Sequence, residues 1–142
     1  KYAVVREDTR SDDYLRELLE CVPKDLMVSG MGEQPAIVHM REFGMASVTS
    51  GCVCVRPQFA TDLLHAVHRQ DWDRAERLRA AFEPLEDLRN EISPIRVLHR
   101  AVGWTGRCEA GPMMPLLGEL PASALGRIET AVRNLISSES PR

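Results

Sequence analysis

Residues 26–51, LMVSGMGEQPAIVHMREFGMASVTSG, decide the fold of this chain. The stretch opens on a short apolar run, Leu26-Met27-Val28-Ser29, closed by Gly30, with the length and composition of a buried strand. Helical spacing follows from Gln34 to Phe43 through Ile37, Val38, Met40 and Phe43, and Gly44 is a C-terminal stop. Ala46-Ser47-Val48-Thr49-Ser50 is a further short strand, ending at Gly51. The run Leu26-Met27-Val28 does not alternate apolar and polar residues, so this strand is expected to be covered on both faces. Strand, helix and strand joined by a few residues read as a parallel pair with a helical crossover.

Upstream, Tyr2-Ala3-Val4-Val5 is strand-like, and Ser11 to Val22 places Tyr14, Leu15, Leu18, Leu19 and Val22 on one helical face. Ser11 and the two aspartates after it are the cap and first-turn acids, and Pro23 ends the helix. Downstream of Pro57 the pattern is helical only. PQFATDLLHAVHRQ forms one helix, and Asp71 begins a longer one, DWDRAERLRAAFEPLEDLRNEI, with Pro84 as a kink. Pro94 to Val102 and Ser123 to Ile136 follow, separated by a Gly- and Pro-rich connection, and the polar tail runs from Ser137 to Arg142.

The expected fold class is α/β. Three strands are too few for a doubly wound sheet of about five, and a (β/α)8 barrel takes eight strands over about 250 residues. The chain therefore reads as the C-terminal part of a (β/α)8 TIM barrel followed by a helical extension. Residues 1–70 supply the last βα units and residues 71–142 the extension. The absence of a methionine before Lys1 is read the same way, as an expectation that the chain belongs to something longer. Made alone, such a half-barrel is expected to aggregate or dimerise through its open strand edge and inner sheet face.

Composition sets limits on function. The 142 residues are 44% apolar and 27% charged with a net charge of −3, so a nucleic-acid-binding surface is not expected. No apolar run approaches the roughly 18 residues of a membrane span. The cysteines are Cys21, Cys52, Cys54 and Cys108, in a chain large and apolar enough not to need disulfide stapling, so a reducing cytoplasm is the expected compartment. Cys21 falls on the apolar side of its helix and is expected to pack as a small hydrophobe. Cys52 and Cys54 form a C-x-C pair without a second pair at zinc-site spacing.

Three segments taken together carry a resemblance: SGMGEQPAIVHMREFGMASVTSGCVCVRPQ, DLLHAVHRQDWDRAERL and PLEDLRNEISPIRVLHRAVGWTGRCEAGPMMPLLGEL. In order and spacing they resemble the C-terminal half of the dihydrodipicolinate synthase and N-acetylneuraminate lyase family, which includes 5-dehydro-4-deoxyglucarate dehydratase. The resemblance implies a (β/α)8 barrel with a helical extension. It also implies cleavage, condensation or dehydration of a small pyruvate-like 2-oxo acid through a Schiff base on a lysine of the sixth strand. No metal or organic cofactor is implied, and the partners implied are the substrate and further copies of the chain in a homo-oligomer.

A Schiff base needs a primary amine with a lowered pKa, and the chain holds two lysines. Lys24, in the Pro23-Lys24-Asp25 turn from helix to strand, falls on the stability face of a barrel. Lys1 is then the imine-forming candidate, with an insertion of a few residues before the helix at Asp12. A competing register places Arg6 of Val5-Arg6-Glu7-Asp8 at the lysine position, and an arginine forms no imine. That register describes a catalytically silent relative or an assembly module built on the helices from Asp71 onward. Lys1 can also be read simply as a charged chain end.

Ser29 and Gly30, with Gly32 just beyond, end the seventh strand in this resemblance, and Thr49, Ser50 and Gly51 end the eighth. The resemblance places these residues near the substrate carboxylate, where amides and hydroxyls bind anions; strand-terminal turn chemistry accounts for them equally. His65 and His68, three apart on a helix, have no carboxylate partner at metal-ligand spacing. His39 and His99 read as boundary residues of amphipathic helices. Asp71 with Arg74, and Asp73 with Arg77, read as ion pairs on a solvated helix face.

Overall fold

The computed structural model describes the backbone of residues 2–4 and the whole of residues 12–113 and 117–138. Three strands, β1 (Tyr2–Val4), β2 (Met27–Ser29) and β3 (Ser47–Val48), form one sheet in the order β1-β2-β3. All pairs are parallel, with Val4 opposite Ser29 and Ser29 opposite Val48. The crossovers are α1 (Asp12–Cys21) and α2 (Ala36–Arg41).

Strand parity fixes where these helices lie. Met27 and Ser29, two positions apart, share one face of β2. Met27 packs with Leu15 of α1 and with Phe43 and Met45, and the Ser29 hydroxyl meets His39 of α2. Both helices therefore cover the same face. Sequential strand order with one-sided crossovers is a singly wound sheet; a doubly wound sheet carries helices on both faces. All three residues of β2 are buried, as its unbroken apolar run requires.

The remainder is helical: α3 (Pro57–His68), α4 (Trp72–Glu91), α5 (Pro94–Gly103) and α6 (Ala122–Ser137). Pro57 and Pro94 occupy first-turn positions, where the missing N–H has no intrahelical acceptor to lose. Asp71 caps α4 by accepting the backbone N–H of Arg74 at 3.2 Å, so this pair is a cap and not the anticipated ion pair. The ion pairs of α4 include Arg79 with Glu76 and Glu83 instead. The helix runs unbroken through Pro84, which is exposed together with Ala80, whose carbonyl loses its usual amide partner.

One apolar cluster extends from Ile37 of α2 to Leu135 of α6. At its centre the rings of Phe59 and Phe82 lie 6.0 Å apart. Leu63 of α3 shares this core with Leu78 of α4, so the packing is continuous across residue 70. Between the two helices Gln70 adopts φ 59°, and the amides of Gln70 and Asp71 close α3 on the carbonyls of Val67 and Ala66. Cys21, expected to be buried, is exposed at the last residue of α1, a helix in which Leu15 is the buried side chain. No helix among the described residues is long and apolar enough to cross a membrane.

Candidate functional site

Because β2 and β3 are parallel and in register, their carboxyl ends open on the same edge. Thr49 donates its N–H to the carbonyl of Ser29 at 2.7 Å, and Gly32 donates to the carbonyl of Thr49 at 3.3 Å. The loop after β2 and the loop after β3 are thereby stitched together. Ser29, Gly30, Thr49, Ser50 and Gly51, singled out from the sequence, all belong to this edge, but they do not act alike.

Gly30 and Thr49 are exposed. Ser29 is fully buried, with its hydroxyl 2.7 Å from Nδ1 of His39, so the hydroxyl is turned into the helix layer. Ser50 accepts the N–H of Cys52 at 3.0 Å and pins the 3-10 turn Cys52–Cys54. Gly51 lies against α5: a Cβ there would come within 2.3 Å of Leu98 Cδ1. A cavity of about 290 Å³ opens beside this edge, bordered by Thr49, Ser50, Val53 and Glu33.

Lys1 and Arg6 lie outside the described residues. Lys24 is exposed in the 3-10 turn Lys24–Leu26, directly before the amino end of β2 and away from the stitched edge. His65 and His68 are exposed. His39 is buried, and burial lowers its pKa, with some opposition from Asp12. It is a structural partner of Ser29 and not the boundary residue read from its helix.

Behind the edge lies a buried polar group that periodicity does not reveal. Glu86 of α4 is fully buried, and its carboxylate accepts the N–H of Glu33 at 2.9 Å and that of Gln34 at 2.7 Å. Arg89, one turn on, stands 3.7 Å from Glu86 Oε1, and Gln34 donates its side-chain amide to Asp87 at 2.7 Å. The loop after β2 is thus fastened to one face of α4 ahead of α2. Gly32 makes the approach possible: its φ is 94°, and a Cβ would come within 1.8 Å of Glu86 Oε1.

Glu33 is 2% exposed, and neither of its carboxylate oxygens has a hydrogen-bond partner. Burial holds this carboxyl above its usual range, against the pull of the nearby Ser50 hydroxyl, its own amide and Glu86 as hydrogen-bonding groups, and of the Arg89 charge. Burial, and next the neighbouring Glu33, push Glu86 up to about 7, opposed by Arg89 and the two amides. Cys52 is fully buried beside both carboxyls, and burial raises its thiol pKa well above the usual value. Sequence reasoning passed over Glu33 and Glu86 because they are 53 positions apart, on segments that each read as ordinary.

The class defined by these features is a singly wound parallel α/β sheet with a helical extension and polar residues gathered at the carboxyl edge. The chain is similar over 97% of its length to the crystal structure of dihydrodipicolinate synthase from Oceanobacillus iheyensis, with a TM-score of 0.78 and 21% identity. It is similar over 94% of its length to dihydrodipicolinate synthase from Bacillus clausii, with a TM-score of 0.76 and 23% identity. Over 93% it matches PhdJ bound to a substrate intermediate, with a TM-score of 0.74 and 22% identity. At these identities the shared property is the fold. The chain spans under half of each of these structures, 46%, 45% and 44% respectively. No family model matches the sequence, and no curated protein aligns with it significantly.

Proposed function

We propose that the protein is a dihydrodipicolinate synthase-like, class I aldolase-type lyase or dehydratase acting on a small, pyruvate-like 2-oxo acid. In this reading residues 1–70 are the last βα units of a (β/α)8 barrel and residues 71–142 its helical extension. The observation that carries it is the stitched carboxyl edge, because barrel active sites lie at the carboxyl ends of the strands. The Thr49 hydroxyl, which must turn from the Ser29 carbonyl that it meets at 3.4 Å, receives the substrate carboxylate with backbone amides of Gly30, Ser50 and Gly51. Ser29 contributes through the backbone, its hydroxyl being engaged by His39. The amine of Lys1 attacks the 2-oxo carbon and expels water to form the imine, without metal or organic cofactor. The enzyme is placed in the cytoplasm as a homo-oligomer.

A second reading is favoured by the course of β1. This strand is parallel to β2 and ends at Val4, so in chain order the basic residue that follows its carboxyl end is Arg6, while Lys1 precedes its amino end. With Arg6 in the lysine's place the protein holds a 2-oxo acid by charge without forming an imine, or serves assembly through the helices from Asp71 onward. Incubating the full-length protein with pyruvate and borohydride, followed by peptide mapping, separates the two. A reduced adduct on Lys1 supports the lyase. Saturable pyruvate binding without any adduct supports the second reading, and neither adduct nor binding removes the 2-oxo acid site altogether.

A further inference from the structure

We propose that Glu33, Cys52 and Glu86 form a buried site for one divalent cation of the zinc type. The three come from separate elements: the loop after β2, the 3-10 turn after β3, and α4. A carboxylate oxygen of each glutamate and the sulfur of Cys52 all lie within 4.8 Å of one another, and all three residues are buried. The independent observation is the state of Glu33. It is 98% removed from solvent, both of its oxygens lack a hydrogen-bond partner, and it faces the other two. A buried carboxyl left in this way is met either by a proton or by a compensating cation.

A proton held between Glu33 and Glu86, which interact side chain to side chain, is the competing way to neutralise the pair; the Cys52 sulfur as a third buried donor beside both carboxyls is what favours a cation. A tetrahedral ion with bonds of about 2.0–2.3 Å holds its ligands about 3.3–3.8 Å apart, so the three donors, within 4.8 Å of one another, need to draw in by about an ångström to share one ion. Glu86 keeps coordinating capacity after serving two amides, because a carboxylate offers about four acceptor positions. Arg89 balances one negative charge beside Glu86, and a dication would balance Glu33 and a Cys52 thiolate. The mixed oxygen and sulfur donor set suits zinc and disfavours magnesium and calcium, which take oxygen ligands. Glu33 also borders the cavity of about 290 Å³ beside Thr49 and Ser50, which gives an entry path.

The test uses the purified protein, stripped with a chelator and titrated with zinc by calorimetry. Cobalt is the spectroscopic probe, because a thiolate ligand gives a near-ultraviolet charge-transfer band. Binding of one equivalent and a cobalt band are expected. Cys52→Ser should abolish the band, and both Cys52→Ser and Glu33→Gln should weaken zinc binding by about tenfold or more. Cys54→Ser, which alters an exposed thiol outside the trio, should change neither reading. Absence of saturable zinc binding, or a band that survives Cys52→Ser, overturns the site. Should Cys52→Ser fail to fold, unchanged zinc affinity in folded Glu33→Gln overturns it as well.

Discussion

The carboxylate of Glu86 caps the amide of Glu33 at 2.9 Å, linking α4 to the loop after β2 across 53 positions of sequence. The same carboxylate takes the N–H of Gln34, so the amides entering α2 are satisfied by a distant helix and not by a local cap. The candidate edge is therefore held in place by the helical half of the chain.

Gly32 is the residue most sensitive to any side chain. Its positive φ costs an L-residue about 1–2 kcal/mol, and crowding of Glu86 by a Cβ adds about 1–3 kcal/mol. Gly32→Ala is expected to lower stability by about 3 kcal/mol in urea titrations. A loss below about 1 kcal/mol would show that the loop does not need this approach.

Glu86 gives a pH dependence with a definite sign. Its pKa rises from 4.5 in the unfolded chain to about 7 on folding. The folded state then binds the proton more tightly, and this contribution is complete below pH 4.5 and lost as the pH rises through 7. The loss is on the order of 3 kcal/mol. His39 acts in the opposite sense, since burial lowers its pKa and its neutral form favours folding as the pH rises through 6.5. Denaturation across this range, with a chelator present, should show a steeper fall with pH for the wild type than for Glu86→Gln. Parallel curves would contradict the assignment.

Ser29 separates a structural role from a binding role. Ser29→Ala leaves Nδ1 of His39 buried without its partner, which is expected to cost about 1–3 kcal/mol in thermal or urea unfolding. Binding of a 2-oxo acid by the folded variant, followed by calorimetry, should be unchanged, whereas Thr49→Val should weaken it. The reverse pattern would place the Ser29 hydroxyl on the ligand.

Gln70 is the one non-glycine residue with positive φ among those described. Gln70→Gly removes the strain of a left-handed L-residue at the end of α3 and should stabilise the protein by about 1 kcal/mol. A lower midpoint in urea would mean that the Gln70 side chain outweighs that strain.

Residues 26–51 by themselves determined the order strand, helix, strand, because an unbroken apolar run closed by glycine and a 3.6-residue apolar spacing are local signals. The helices from Pro57 onward followed from the same logic, with ends shifted by a residue or two. Local signals did not determine what each side chain meets. Ser29 read as a binding residue, and its parity on β2 turned the hydroxyl to His39. Cys21 read as buried, and its place at the end of α1 left it in water. Glu33 and Glu86 read as two ordinary acids. Only the packing of α4 behind the loop after β2 buried them together beside Cys52. Periodicity records which way a residue faces along its own element, whereas burial of a charge depends on which other element arrives opposite, and that is decided by the tertiary structure.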